Sequence, residues 1–233
     1  MLKLSVHMRP VLIALSLAVA PLASATAQSP AAALPAALLQ AVAATEAAKA
    51  AYAFDLELAS AERNWQARFD PNGNPRLRLV SPSRETLDND ERRGFDRMAE
   101  SFEGVSWCAS ENMGRVANVR LMREDETSAT YSFQPTRESV RGEQARRFAD
   151  RMRGEVTVTK ATPDITRVRL FIPAAFSPMP LVRVDAFNVV ITCQAAPNGR
   201  RYAAETTSDV RGSAFGQDFN ERSVQRARNL SPP

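Results

Sequence analysis

From residue 52 onward, apolar and polar residues alternate with a period of two, which is typical of β-strands that have one packed face. Residues 70–75, which follow the first two such runs, are rich in Asp, Asn, Pro and Gly and favour tight turns. The apolar positions of these two runs are Phe54, Leu56, Leu58, Trp65, Ala67 and Phe69. The pattern predicts an antiparallel meander with one packed and one solvent-facing side.

Three segments follow a helical period instead. Residues 31–51 are rich in alanine and leucine and contain no glycine, which predicts a helix that Pro35 could begin. Residues 85–103 place five apolar side chains on one helical face, and Gly104 follows as a stop signal. A third, shorter helix is predicted over residues 142–152.

The remaining runs predict further strands, so that the whole chain holds about nine or ten. Residues 212–219 are predicted to form a last strand at an edge of the sheet, followed by a polar tail. The other predicted strands cover residues 76–79, 115–123, 127–133, 155–160, 165–172, 181–194 and 200–211. Their number relative to the helices predicts a single, sheet-dominated α+β domain.

The first 27 residues have the pattern of a secretory signal peptide. Lys3 and Arg9 precede an apolar run of about ten residues, half of what a bilayer span needs, and a small-residue cleavage site ends at Ala27. The expected organisation is therefore a signal peptide over 1–27, a helix over 28–50 packed on the sheet, and the sheet domain over 51–230. The alanine-rich and arginine-rich composition is typical of a high-GC bacterial genome, so the expected location is the periplasm of a Gram-negative bacterium.

Removal of this segment would also remove His7, the single histidine of the chain. Without histidine, the Ser-His-Asp triad, the Cys-His dyad and histidine zinc sites are excluded. The chain has no glycine-rich phosphate loop either. We therefore expect no catalytic residues, no metal and no cofactor, and a protein that is not an enzyme.

The charge pattern argues against nucleic acid as a partner. The 30 basic residues are accompanied by 26 acidic ones, for a formal net charge of +4. Acidic residues are interleaved with the arginines along the chain, which breaks up any continuous phosphate-binding stripe.

The two cysteines, Cys108 and Cys193, are predicted to form a disulfide, because the expected compartment is oxidising. The alternative is a pair of unrelated buried thiols. Cys193 is in phase with Val189 and Ile191, so its side chain should point toward the packed face.

The aromatic residues of the predicted strands have two interpretations. They either fill the core beneath the helices or line an apolar cavity under a helix that crosses a curved sheet. The residues concerned are Phe54, Trp65, Phe69, Phe133, Phe171 and Phe187.

Several motifs of the chain resemble the LolA-like periplasmic carriers of outer-membrane lipoproteins. They are Gly154-Glu155-Val156-Thr157-Val158, Thr162-Pro163, Arg167-Val168-Arg169-Leu170, Phe176-Ser177-Pro178 and Arg211-Gly212-Ser213-Ala214-Phe215. The resemblance implies a single curved antiparallel sheet, a half-barrel, with helices packed on its concave face and an apolar cavity that holds acyl chains.

Two functions follow as hypotheses. The first is a periplasmic, non-catalytic binding or carrier protein whose ligand is a lipid or the acyl groups of a lipoprotein. The second is a protein-interaction or scaffold module with a filled core and no small ligand, which binds a protein partner at the edge strand over residues 212–219.

Overall fold

A computed structural model of the chain describes residues 34–46, 52–108, 113, 116–140 and 146–232. The chain divides into two units, Met1–Pro30 and Ala31–Pro233, and every described residue belongs to the second. The predicted signal peptide lies outside the described residues, as do parts of the helices predicted over 28–50 and 142–152. Within the described ranges, no helix is both long and apolar enough to cross a membrane.

The described residues form more strand than helix. Helix α1 spans Ala36–Glu46 and helix α2 spans Asn89–Ser101. Of the helix predicted over 142–152, the described part contains a short 3-10 turn at Ala149–Arg151. The strands are β1 Ala53–Ser60, β2 Asn64–Phe69, β3 Leu77–Ser81, β4 Val116–Glu124, β5 Ser128–Pro135, β6 Arg153–Thr159, β7 Ile165–Phe171, β8 Phe176–Met179, β9 Val182–Ala195, β10 Arg201–Ala214 and β11 Gln217–Ser231.

All strand pairs in the described residues are antiparallel, and they build one curved, unclosed sheet, which confirms the predicted fold class. The strand order is β3-β2-β1-β11-β10-β9-β7-β6-β5-β4, and β8 pairs with β9. The position predicted for the edge strand is wrong. Residues 212–219 form the end of β10, a two-residue turn and the start of β11, and β11 continues into the middle of the sheet, between β1 and β10.

The pairing register assigns every strand residue to one of two faces. Directly opposed residues in antiparallel strands lie on the same side, and neighbours along a strand alternate sides. We call the side with Leu56, Val168 and Ile191 the concave face, because both helices pack there. The other side, with Glu57 and Arg167, is called the open face.

Two apolar clusters cover the concave face. In the first, Leu38 and Ala41 of α1 are completely buried against β6 and β7. In the second, Phe95 of α2 packs on β1–β3, and its ring meets the edge of Trp65 at a centroid distance of 5.6 Å. The sheet is therefore packed on this side by one helix near each end.

Helix α2 begins with a capping box. Both Asp90 and Glu91 donate their backbone N–H groups to the Asp88 carboxylate, at 2.8 and 2.9 Å. The Glu91 carboxylate accepts the backbone N–H of Asp88 in return, at 3.1 Å. These bonds satisfy N–H groups that a helix start leaves without partners, so the acidic run 88–91 serves to begin the helix.

The predicted disulfide is present between Cys108 and Cys193, with Cα atoms 6.3 Å apart. Both cysteines are buried, and Cys193 lies with Ile191 in the first cluster, as its phase in β9 predicts. Just before Cys108, Trp107 forms a β-bridge with Tyr202 of β10. The disulfide therefore fixes a segment that returns to the sheet. Its presence indicates an oxidising compartment.

Candidate functional site

The aromatic residues predicted to line a cavity divide between the core and the surface. Phe54 and Phe69 are neighbours in the second cluster, with ring centroids 5.2 Å apart, and both are almost fully buried. Phe133 is equally buried, but it belongs to the first cluster. These three rings are core residues.

The other three rings lie in different surroundings. Trp65 belongs to the second cluster and also borders a hollow of about 220 Å³ beside Leu58. Phe187 is half-buried against the small cluster that contains Met152. Phe171 lies on the open face, where the guanidinium of Arg169 stands 4.4 Å from its ring centroid. The structure thus brings Phe54, Trp65 and Phe69 into one cluster and places the other three elsewhere.

An apolar cleft lies between α2 and β3, and we call it the α2–β3 cleft. Its volume is about 520 Å³, within the range of small-molecule sites. Leu77 and Leu79 of β3 form one wall, and Phe95 and Ala99 of α2 form the other. Alternation along β3 and the spacing of four along α2 turn these side chains toward each other.

Charged side chains border the same cleft. Arg84, from the 3-10 turn Arg84–Thr86, donates to both carboxylate oxygens of Asp96 in α2, at 2.7 and 2.5 Å. The hydrogen bond from Arg84, together with the charges of Arg84 and Arg92, holds the pKa of Asp96 below its usual range. Asp96 therefore stays ionised at neutral pH, and the cleft combines apolar walls with a charged rim.

Sequence reasoning missed this cleft although it found the walls. Phe95 and Ala99 are two of the five apolar side chains that the helical period of residues 85–103 places on one face, and residues 76–79 are predicted to form a strand. Both patterns predict buried side chains. Whether a helix closes fully on the strand below it depends on the docking angle, which the periodicity of one segment does not encode.

A second surface is formed by the turns at one end of the sheet. Leu181, between β8 and β9, and Phe215, between β10 and β11, are 73% and 71% exposed. Both residues have positive φ angles, +64° and +52°. Residues other than glycine and asparagine rarely adopt this left-handed backbone conformation. The backbone N–H of Phe215 donates to the carbonyl of Leu181 at 2.8 Å, so the two turns lie side by side.

The open face is rich in charge, and around β1, β10 and β11 its charges are paired. Arg226 donates to Glu205 at 2.7 Å and to Glu57 at 3.0 Å. Arg68 pairs with Asp55 at 2.9 Å. A hydrogen bond from Asn229 and the pairing with Arg68 lower the pKa of Asp55. This part of the face is therefore a neutralised network.

Among the described residues, no group of three or more His, Cys, Asp or Glu side chains is arranged to hold a metal ion. Comparison with protein-family models, with curated proteins and with solved structures gave no match. The site is thus defined by its own geometry: an apolar cleft with a charged rim, on a disulfide-bonded antiparallel sheet.

Proposed function

We propose that the protein is a non-catalytic binding or carrier protein of the bacterial periplasm, and that it holds an acyl chain in the α2–β3 cleft. The observation that carries the proposal is the cleft itself, about 520 Å³ of space between apolar walls. A ligand with an apolar chain and a polar head suits such a site, because the chain leaves water while the head stays at the charged rim.

The surrounding structure supports binding at this position. Phe54 and Phe69 fill the core below, so the space that is left is next to α2 at the sheet edge. The ion pair between Arg84 and Asp96 fixes the helix to the neighbouring turn on the rim. An acyl chain would then enter between α2 and β3 without displacing core side chains.

The test is the binding of a fluorescent C16 fatty acid to the purified chain and to two variants. Ala99→Phe places a ring inside the cleft, and we expect it to weaken binding by roughly tenfold or more, since an occupied cleft excludes the chain. Arg97→Phe is the matched control, because it adds the same ring to an exposed position of the same helix. This control should bind as tightly as the unaltered protein.

Two results would contradict the proposal. One is the absence of saturable binding to the unaltered protein, together with no co-purified lipid in native mass spectrometry. The other is equal binding by Ala99→Phe and the unaltered protein. Melting temperatures of both variants show whether a loss of binding reflects a loss of folding.

One observation favours the alternative function, a protein-interaction module. Residues 217–222 of β11 pair with β10, whereas pairing with β1 begins only at Ser223. This leaves one side of the strand available to an extended segment of a partner protein, which would add to the sheet by β-augmentation. The exposed Phe215 stands at the start of this stretch.

Photo-crosslinking in cells tests the alternative. A photoreactive residue at position 218 should give one defined protein adduct, whereas position 224, where β11 pairs with both β1 and β10, should give none. Adducts of equal yield from both positions, or from neither, would reject the alternative. The result is separate from fatty acid binding, which concerns the cleft.

A further inference from the structure

A hollow on the open face collects three arginines from two strands, β4 and β7. It has a volume of about 400 Å³ and lies over β4–β9, away from the α2–β3 cleft. Its polar lining consists of Arg123, Glu155, Thr157, Arg167, Arg169 and Asn188. We call it the arginine hollow.

The register explains why these residues meet. Arg123 pairs with Thr130, Thr130 with Thr157, and Thr157 with Arg167, so the four form one transverse row on the open face. Arg169 lies two residues beyond Arg167 on the same side of β7. The arginines are thus placed around a shared space by rigid strands.

The charges of the arginine hollow are not neutralised by its neighbours. Its one carboxylate, Glu155, is 3.6 Å from Arg169. The side chain of Arg167 makes no hydrogen bond or ion pair with another described residue. Three arginines against one glutamate leave a formal excess of two positive charges, in contrast to the paired network around Arg226.

Hydrogen-bond donors in the hollow are also available. Arg123 uses its Nε to donate to the Thr130 hydroxyl at 3.3 Å, which orients the guanidinium and leaves its terminal nitrogens for a ligand. Asn188 accepts from Arg169 Nε through its carbonyl oxygen at 2.7 Å, so its amide NH₂ group can donate. Guanidinium forks held in this way match the oxygens of a phosphate in geometry and charge.

We propose that the arginine hollow is a binding site for a phosphoryl oxyanion, such as a phosphate dianion or a phosphate monoester head group. Two charges on the ligand would balance the formal excess of the site, and its oxygens would accept from Arg123, Arg167 and Asn188. This proposal does not depend on acyl-chain binding, since it concerns the opposite face of the sheet.

Calorimetric titration with inorganic phosphate tests the site, together with the same titration of Arg167→Gln and of a matched control. Arg222→Gln removes the same charge from the open face at a position that pairs with Asp209, 3.2 Å away. We expect saturable binding by the unaltered protein, a loss of affinity of roughly tenfold or more in Arg167→Gln, and less than about a twofold change in Arg222→Gln. Both arginines are exposed, so both variants should keep the melting temperature of the unaltered protein.

Two further probes separate the sources of phosphate. Glycerol 3-phosphate presents the group on a soluble molecule, and phosphatidylcholine vesicles with and without phosphatidic acid present it on a membrane. Binding of either soluble probe supports a soluble ligand, and binding of phosphatidic acid vesicles alone supports a lipid head group, provided that Arg167→Gln loses it in each case. No binding of any probe, or an equal loss in Arg167→Gln and Arg222→Gln, would overturn the proposal and show only a general effect of net charge.

Discussion

The ring of Phe133 occupies the space that a side chain at position 154 would need. Phe133 and Gly154 are directly paired between β5 and β6, and a Cβ atom added to Gly154 would lie 2.1 Å from the ring. The ring is 2% exposed and has little room to move. The absence of a side chain at position 154 is therefore part of the packing of the first cluster.

Gly154→Ala should lower the free energy of unfolding by about 1–3 kcal/mol, because the added methyl group overpacks the core. The measurement is urea denaturation of both proteins. Gly94→Ala is the matched control, since its new Cβ would meet its nearest neighbour, the Trp65 ring, at 3.9 Å, an ordinary contact. Gly94 lies inside α2, so this change should raise stability by about 0.5–1 kcal/mol. Equal effects of the two substitutions would contradict this account.

The side of the sheet on which Cys193 lies could be predicted from the sequence, whereas the contact between Phe133 and Gly154 could not. The phase of Cys193 with Ile191 correctly predicted its side of the sheet, because alternation is a property of a single strand. The contact between Phe133 and Gly154 depends on the register between two strands. The alternation within each strand does not encode that register. The sequence therefore predicts that Phe133 lies on the packed face, but it does not predict which residue of the next strand lies beside it.

At the scale of single elements, the β4–β5 hairpin is held by one carboxylate. Asp125 accepts the Ser128 hydroxyl at 2.8 Å and the backbone N–H groups of Thr127 and Ser128 at 2.8 and 2.7 Å. These hydrogen bonds, with that from the Ser128 hydroxyl as the largest cause, hold the pKa of Asp125 well below its usual range. The hairpin turn is thus stabilised by the ionised form.

The pKa of Asp125 is lower in the folded protein than in the unfolded chain, where it is about 3.9. The ionised carboxylate therefore stabilises the fold above about pH 3.9, and this stabilisation is lost as the pH falls through the pKa of the folded state. Asp125→Asn should therefore be less stable than the unaltered protein at pH 7, and the difference should shrink below about pH 4. Glu126→Gln is the matched control for the loss of a charge, because the carboxylate of this next residue accepts none of the hydrogen bonds named above. A difference between Asp125→Asn and the unaltered protein that stays constant down to pH 2 would count against this role.

The turn between β10 and β11 has two residues, Phe215 and Gly216, both with positive φ. Turns of this type favour Asn-Gly, because asparagine adopts the left-handed conformation at lower cost than phenylalanine. Phe215→Asn should raise the free energy of unfolding by about 0.5–1 kcal/mol, measured by thermal and urea denaturation. Phe215→Leu keeps the strained conformation and an apolar side chain, and a similar gain in that variant would contradict the explanation.

Among the elements, β11 differs most from the prediction, because the residues after 219 were predicted to be a polar tail and form most of a central strand. Its concave-face positions include Glu221, Ser223 and Gln225, all polar, so the apolar alternation that marks β1 or β9 is missing. The strand forms because its backbone pairs with β10 along most of its length. Such pairing requires a complementary partner strand more than an apolar pattern, and a single segment does not reveal its partner.

At the scale of the whole molecule, the disulfide spans a sequence separation of 85 residues that includes β4–β8. Closing a loop of this size restricts the unfolded chain and contributes about 4 kcal/mol on the chain-entropy model. The double variant Cys108→Ala/Cys193→Ala should therefore melt roughly 10 °C lower than the oxidised protein. Differential scanning calorimetry provides the measurement.

Reducing agent supplies the matched control for this prediction. It should lower the melting temperature of the unaltered protein and leave that of the double variant unchanged. Thiol titration of the unfolded, unreduced protein should find no free thiol. Two free thiols per chain would show that the bridge does not form.

The central position of β11 also determines when the sheet can be completed. Within the described sheet, strands β1–β3 connect to the other strands only through residues 223–231 of β11, the last of the described strands. During synthesis, the first three strands therefore wait for the last one, and such long-range pairing slows folding. A chain with this order of assembly completes its sheet only after residues 223–231 have left the ribosome.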